Sequence, residues 1–331
     1  MDVLWEIVSF VVKAFVVFVT VAACAAVIFA RMRGRSHEGH LEVRRLNDVI
    51  KSRIVQLRAA ISSPKEHKRA VKELARESKV HLERNLFVLD FKGDMMATAA
   101  EDLREEVTAL LGVATEGDEV MVRIESAGGA VHGYGFAASQ LDRIRKRGLK
   151  LTACIDRVAA SGGYLMACVA DHIVAAPFAV VGSIGVTAPV PNFHRLLERA
   201  GIEYEDISAG QYKRTVSPFA PISDQGRAKF KAQVEEVHQH FKSFVSRHQP
   251  AIDIEQVATG EHWLGERAAE LGLVNELGTS DDFLQSRVDQ ANILEISYQR
   301  PRSVRDRIHV GVHAVVDRLV DRIATRFGLA S

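Results

Sequence analysis

The chain has 331 residues, with 43 Lys/Arg against 42 Asp/Glu, a formal net charge of +1 and 47% hydrophobic residues. It can bury one large core or two modest ones, and its balanced charge leaves no global field for nucleic acid. Three cysteines (Cys24, Cys154 and Cys168) are too few and too scattered for a disulfide framework. No Cys/His spacing suggests zinc, so neither a metal nor an organic cofactor is expected.

The N-terminus departs from this average. Residues 14–30, AFVVFVTVAACAAVIFA, carry no charge, and residues 4–12 include only Glu6. Together they are long enough to cross a ~30 Å hydrocarbon core. Asp2 and Glu6 at the start, the length of the run and the lack of a small-x-small cleavage site before Arg31 favour an uncleaved anchor over a signal peptide. Residues 1–35 are therefore expected to form a transmembrane anchor with a basic flank, with residues 4–30 in contact with lipid. Arg31, Arg33 and Arg35 favour the cytoplasmic side, whereas Lys13 sits within the span on the other side, so the face occupied by the rest of the chain stays open.

Residues 36–84 read as a charged helical stalk. Leu41, Leu46, Ile50, Ile54, Leu57 and Ile61 recur at three-to-five-residue steps among lysines and arginines. From residue 31 to 79 there are fourteen Lys/Arg against six Asp/Glu, which suits anionic headgroups and equally suits a solvated helix.

The texture changes at Asn85, where a domain over residues 85–295 begins. Apolar runs at 86–91, 119–125, 149–155 and 172–175 predict buried strands. Amphipathic patterns over 98–111, 133–147 and 224–247 predict helices, and an apolar helix is expected from Ser161 to Ala170. Strands alternating with helices predict an α/β fold built of parallel βαβ units, covered on both faces. Residues 296–331 hold a last amphipathic helix over 303–327, its stripe formed by Ile308, Val312, Val315, Leu319 and Ile323. It is expected to dock on the body or a partner subunit, or else on the membrane surface.

Two islands carry chemistry. Val158-Ala-Ala-Ser-Gly-Gly-Tyr164 sets Ser161 among residues too small to obstruct a peptide, and Ala209-Gly-Gln-Tyr-Lys-Arg214 supplies Lys213. A lysine can act as base to a serine only as a neutral amine, which requires desolvation. Glu125-Ser-Ala-Gly-Gly129 leaves the carboxyl end of a strand, where ligands bind in such sheets, and Gly128 and Gly129 suit an oxyanion site alongside Gly162. Ser183, in Gly182-Ser-Ile-Gly185, is placed to orient the lysine amine. A turn or cap role explains each island taken alone. Gly133-Tyr-Gly-Phe-Ala-Ala138 followed by Asp156 fits a dinucleotide fingerprint, except that Ser126 to His132 intervene between strand and motif. A triad using His132, His172 or His194 would lack a G-x-S-x-G elbow.

The runs 125–130, 155–171, 176–186 and 209–214, in this order, resemble the signal peptide peptidase A family of serine proteases. The resemblance covers most of the chain and is dense over residues 86–277. It implies a crotonase/Clp-protease-like fold and a Ser/Lys dyad, with Ser161 as nucleophile, Lys213 as base, Ser183 orienting the lysine and Gly128 giving an oxyanion amide. It further implies a homo-oligomeric ring whose neighbouring subunits share the dyad, placed at a bacterial inner membrane. Peptide or protein substrates are implied, chiefly extended apolar peptides such as signal-peptide remnants. Ala127, where the family usually has proline, and the stiff Ser217-Pro-Phe-Ala-Pro221 after the lysine depart from the pattern. A crotonase-fold acyl-CoA enzyme and a non-catalytic membrane scaffold are the competing functions.

Overall fold

The segment NLFVLDFK forms strand β2 (Asn85–Lys92), whose first seven residues are apolar apart from Asn85 and Asp90. A strand apolar on both faces belongs in the middle of a parallel sheet, and that is where it lies. In a computed structural model, which describes residues 39–61, 63–77 and 82–300, β2 pairs in parallel with β3 (Glu119–Glu125) and β10 (Asn292–Gln299). β4 (Lys150–Ile155), β6 (His172–Ala175) and β9 (Glu276–Leu277) extend the sheet in parallel, and β1 (His40–Arg45) forms its opposite edge. The order is β1-β10-β2-β3-β4-β6-β9. The expected mixed α/β architecture with parallel strands is what forms.

Alternate side chains take opposite faces, as strand geometry requires. Phe87, Leu89, Phe91, Val120, Val122, Ile124, Leu151 and Ala153 join the main core, under α3 (Ala100–Val113) and α4 (Val131–Lys146). Leu86, Val88, Met121 and Cys154 face a smaller core, closed by Leu46 of α1 (Leu46–Ala59) and Leu284 of α10 (Ser280–Arg287). Residues Leu41–Tyr298 form one compact unit.

Two local features differ from the sequence reading. His40–Arg45 is a strand rather than part of a helical stretch; helix begins at Leu46 and resumes in α2 (Pro64–Glu77). The first turn of α1 is seated in the body. Buried Asn47 donates to Val288 O and Ala291 O at 2.8 and 2.9 Å and accepts from Ile293 N at 2.7 Å. The helix after Ser161 is also shorter than expected, α5 running only Gly162–Ala167. The apolar segment 14–30 and the amphipathic segment 303–327 lie outside the described residues. Among the described residues no helix is long and apolar enough to cross a membrane.

A second, three-stranded sheet stands beside the first. β5 (Val158–Ala160) pairs in parallel with β7 (Val180–Gly182), which pairs antiparallel with β8 (His262–Leu264). Long α7 (Asp224–His248), capped by Ser223 accepting from Gly226 N at 3.0 Å, packs Phe241, Phe244 and Val245 on the main core.

Glu106 of α3 is a buried carboxyl in this frame, accepting from Tyr298 N at 2.8 Å. Burial pushes it up to about 7, with Asp102 and Asp90 adding in the same direction against the Tyr298 hydrogen bond. The folded chain thus holds a proton that the unfolded chain releases near its ordinary value of 4.5, so stability falls as pH rises between these values. Glu106→Gln is expected to raise the melting temperature at pH 8 by several degrees, on the order of 3 kcal/mol at most, and to leave it nearly unchanged at pH 4.5. Equal effects at both pH values in thermal unfolding would refute this.

Candidate active site

The site grows from the junction of the two sheets. β3 is followed at once by Ser126, whose N–H donates to Val158 O at 2.9 Å, while Ala160 N donates back to Ser126 O at 3.0 Å. This isolated parallel bridge, Ser126 to Ala159, fixes the start of the glycine loop against β5. Ser161 follows β5 directly, partly exposed, with φ 52° and ψ −117°. A non-glycine residue at such angles costs of order 1–3 kcal/mol and persists only where its surroundings fix it. Here Ser161 N–H donates to Gly182 O at 2.8 Å and Ser161 O accepts from Leu165 N at 2.9 Å.

Gly128, with φ +90°, crosses immediately in front of this turn. A methyl added there would lie 2.7 Å from Ser161 Cβ and 2.8 Å from Gly162 N. Only glycine permits that approach and that dihedral. The structure therefore brings Gly128, Ser161 and Gly162 together. Gly128 N–H is already committed, donating to Ser126 Oγ at 3.0 Å. Among the described residues, the N–H groups of Gly129 and Gly162 have no acceptor.

Ser183 is brought alongside by strand register. Ala160 pairs with Gly182, so the residues that follow this pair are Ser161 and Ser183. Ser183 also has positive φ, 54°, and its N–H donates to Glu261 O at 2.6 Å. Gly182 packs on the Trp263 ring, where an added methyl would meet Cε3 at 2.8 Å. His238 Nε2 lies 3.3 Å from Ile184 O on the far side of this turn.

Lys213 precedes α7 in the chain. It sits in a turn closed by Lys213 N donating to Gly210 O at 3.0 Å, and its side chain is exposed. No hydrogen bond joins it to Ser161, and among the described residues neither side chain has a hydrogen-bonding partner. The neighbouring Arg214 pairs with Asp206 at 3.0 Å and donates to Tyr204 Oη at 3.1 Å. Behind it, Phe219 stacks with Phe193, and Asn192 donates to Ser217 O and Ala220 O, so Ser217-Pro-Phe-Ala-Pro221 is tied to the start of α6 (His194–Arg199).

Residues that the sequence reading passed over complete the rim. Met95 and Met96 are 72% and 55% exposed in the loop after β2, although that loop is firmly held. Asp94 accepts from Met96 N, Thr98 N and Thr98 Oγ1, and Met95 O accepts from Ala130 N at 2.8 Å. Gly129 packs directly on Met95 O. Exposed thioethers on a firmly held loop beside the glycine loop are a signal for apolar ligands, and the pair Met-Met after Gly-Asp is its trace in sequence.

The dinucleotide reading finds no support in the local geometry. Gly133 and Gly135 lie within α4 rather than in a strand-to-helix turn, and Gly133 is a packing glycine against Met96 O. The Asp156 carboxylate is occupied by Ser280 N and Oγ at 2.7 and 2.6 Å. His172 pairs with Glu276, and His132 and His194 have no hydrogen bond to a serine.

Comparison with known proteins gives the family. Residues 2–141 match the peptidase family S49 N-terminal region, and residues 143–294 match peptidase family S49. A Haemophilus influenzae protein named "Probable protease SohB" is 39% identical over 328 residues, spanning 94% of this chain and 93% of that relative. A Buchnera aphidicola protein of the same name is 48% identical over 229 residues, spanning 69% of this chain and 68% of that relative. With glycine loop, serine turn and lysine segment all inside the matched region, the chain belongs to peptidase family S49 and is similar to the SohB proteases.

Proposed function

We propose that this chain is a membrane-anchored serine endopeptidase that uses Ser161 as nucleophile and Lys213 as base. The observation that carries this reading is the strained turn at Ser161. Ser161 is partly exposed, its hydroxyl has no hydrogen-bond partner among the described residues, and the N–H groups of Gly129, in the adjoining loop, and Gly162, next in the chain, have no acceptor there. Neutral Lys213 Nζ takes the Ser161 Oγ proton as Oγ bonds to a substrate carbonyl carbon. Gly129 and Gly162 N–H donate to the oxyanion, and Gly128 provides the close approach. Collapse of the intermediate breaks the peptide C–N bond, and the amine leaves with the proton from Lys213. Water activated by the same amine then hydrolyses the acyl-enzyme. Ser183, beside Ser161 by register, orients the lysine amine.

The base needs a dry setting that a single chain does not supply to the exposed Lys213. The segment that carries it also exposes Phe193, Leu196, Ile202, Ile207 and Tyr212, with Ile207 at 89%. Such a row of apolar side chains favours burial against a second copy. The proposed assembly is a ring in which Lys213 of one protomer serves Ser161 of the next, on a crotonase/Clp-like fold. Residues 4–30 anchor it as a single pass in a bacterial inner membrane. The chain enters the protease body at β1, and the amphipathic pattern of residues 303–327, beyond β10, is proposed to form a C-terminal helix. Substrates are extended apolar peptides, consistent with exposed Met95, Met96 and Val131 along the rim.

Mixing Ser161→Ala and Lys213→Ala chains, each inactive alone, is expected to restore peptidase activity, with about a quarter of randomly formed interfaces holding both native groups. Silence in mixed particles of verified composition would refute the shared site. Labelling by a serine-directed fluorophosphonate is expected at Ser161, slowed by about 10²-fold or more in Lys213→Ala. Mass spectrometry showing labelling at the parental rate in that variant would remove Lys213 from the mechanism.

A further inference from the structure

Beneath the glycine loop lie two buried hydroxyls that nothing in the proposed chemistry uses. Tyr134, on the second turn of α4, is fully buried, and its Oη stands 2.8 Å from Asp94 O and 2.6 Å from Ser126 Oγ. A carbonyl can only accept, so the single phenolic proton goes to Asp94 O. The bond between the two hydroxyls must then be donated by Ser126. Ser126 Oγ in turn accepts Gly128 N–H at 3.0 Å. Every direction is thereby set: Gly128 N–H to Ser126 Oγ, Ser126 O–H to Tyr134 Oη, Tyr134 O–H to Asp94 O.

Each end of this relay meets the site. Gly128 lies against Ser161 Cβ, and Asp94 precedes Met95, whose carbonyl holds Ala130 N and abuts Gly129. The Tyr134 ring lies directly under Gly162, where no side chain would fit, and Gly93 leaves the room that the two hydroxyls fill. The two halves of the oxyanion site, Gly129 and Gly162, therefore share one support.

We propose that Ser126 and Tyr134 are positioning residues for the oxyanion site: by committing Gly128 N–H, the relay fixes the loop in the one orientation that leaves Gly129 N–H available beside Gly162 N–H. This rests on the protease reading of Ser161. Its effect belongs to the transition state, because Ser126 and Tyr134 are buried and offer a bound substrate no contact surface.

The test uses full-length protein, solubilised in detergent, with a peptide substrate, a peptide aldehyde and the matching peptide alcohol. The aldehyde adds Ser161 Oγ across its C=O and so reports the oxyanion site; the alcohol reports ground-state binding alone. Tyr134→Phe is expected to lower kcat about tenfold with KM unchanged, and to weaken the aldehyde, but not the alcohol, by a similar factor. Ser126→Ala is expected to do the same by up to ~10²-fold. A fall in melting temperature with an unchanged aldehyde-to-alcohol ratio in both variants would mean that the hydroxyls are merely structural, and would overturn the proposal. If Tyr134→Phe does not fold, Ser126→Ala decides alone, with Ser126→Cys as the milder second variant. Failure of the underlying reading looks different: Ser161→Ala would keep its activity and the parent protein would ignore the aldehyde.

Discussion

Two backbone hydrogen bonds at Ser126 set the position of everything else in the site. They join the carboxyl end of β3, in the large sheet, to β5, in the small one. The chain leaves β4 at Ile155 and re-enters a strand at Val158, so without this bridge the serine turn and the glycine loop would belong to different sheets. A buried pair of amide hydrogen bonds is worth a few kcal/mol at most in net stability. Its larger role is geometric, since it sets the distance between Gly128 and Ser161 that makes their chemistry conceivable.

Around that bridge the packing leaves little freedom. Ser161 and Ser183 both hold positive φ, and the N–H of each is committed to a backbone carbonyl, Gly182 O and Glu261 O respectively. The large sheet beneath, apolar on both faces and covered by helices on both, offers the stiff platform that such strained turns require. Strain at Ser161 is thus balanced by the packed core beneath it.

Much of this platform was legible in sequence because the central strands are apolar runs bounded by turns. β2, β3, β4 and β6 fall where the hydropathy places them, and α7 matches its amphipathic pattern almost to the residue. β1 was not legible. HLEVRR lies at a sheet edge with mostly exposed side chains, so no buried face imprinted a period of two, and Leu41 falls in with the spaced leucines and isoleucines that follow it instead. The serine, lysine and glycine islands were found as motifs, yet the register that sets Ser183 next to Ser161 arises only when β5 meets β7. Ser126 and Tyr134, eight positions apart, meet because a loop and the first turns of α4 fold back between them. The environment of Lys213 stays illegible for a different reason: the groups proposed to surround it belong to another copy of the chain.

The steric record at the glycines has a consequence for how such a protein can change. At Gly93, Gly129 and Gly162 a single added carbon would strike a hydroxyl pair, a main-chain carbonyl or an aromatic ring, none of which can yield cheaply. Met95, Met96 and Val131 point outward from the same loops and support nothing behind them. Sequence change is therefore easiest at those outer side chains, while the glycine positions beneath them admit no larger residue.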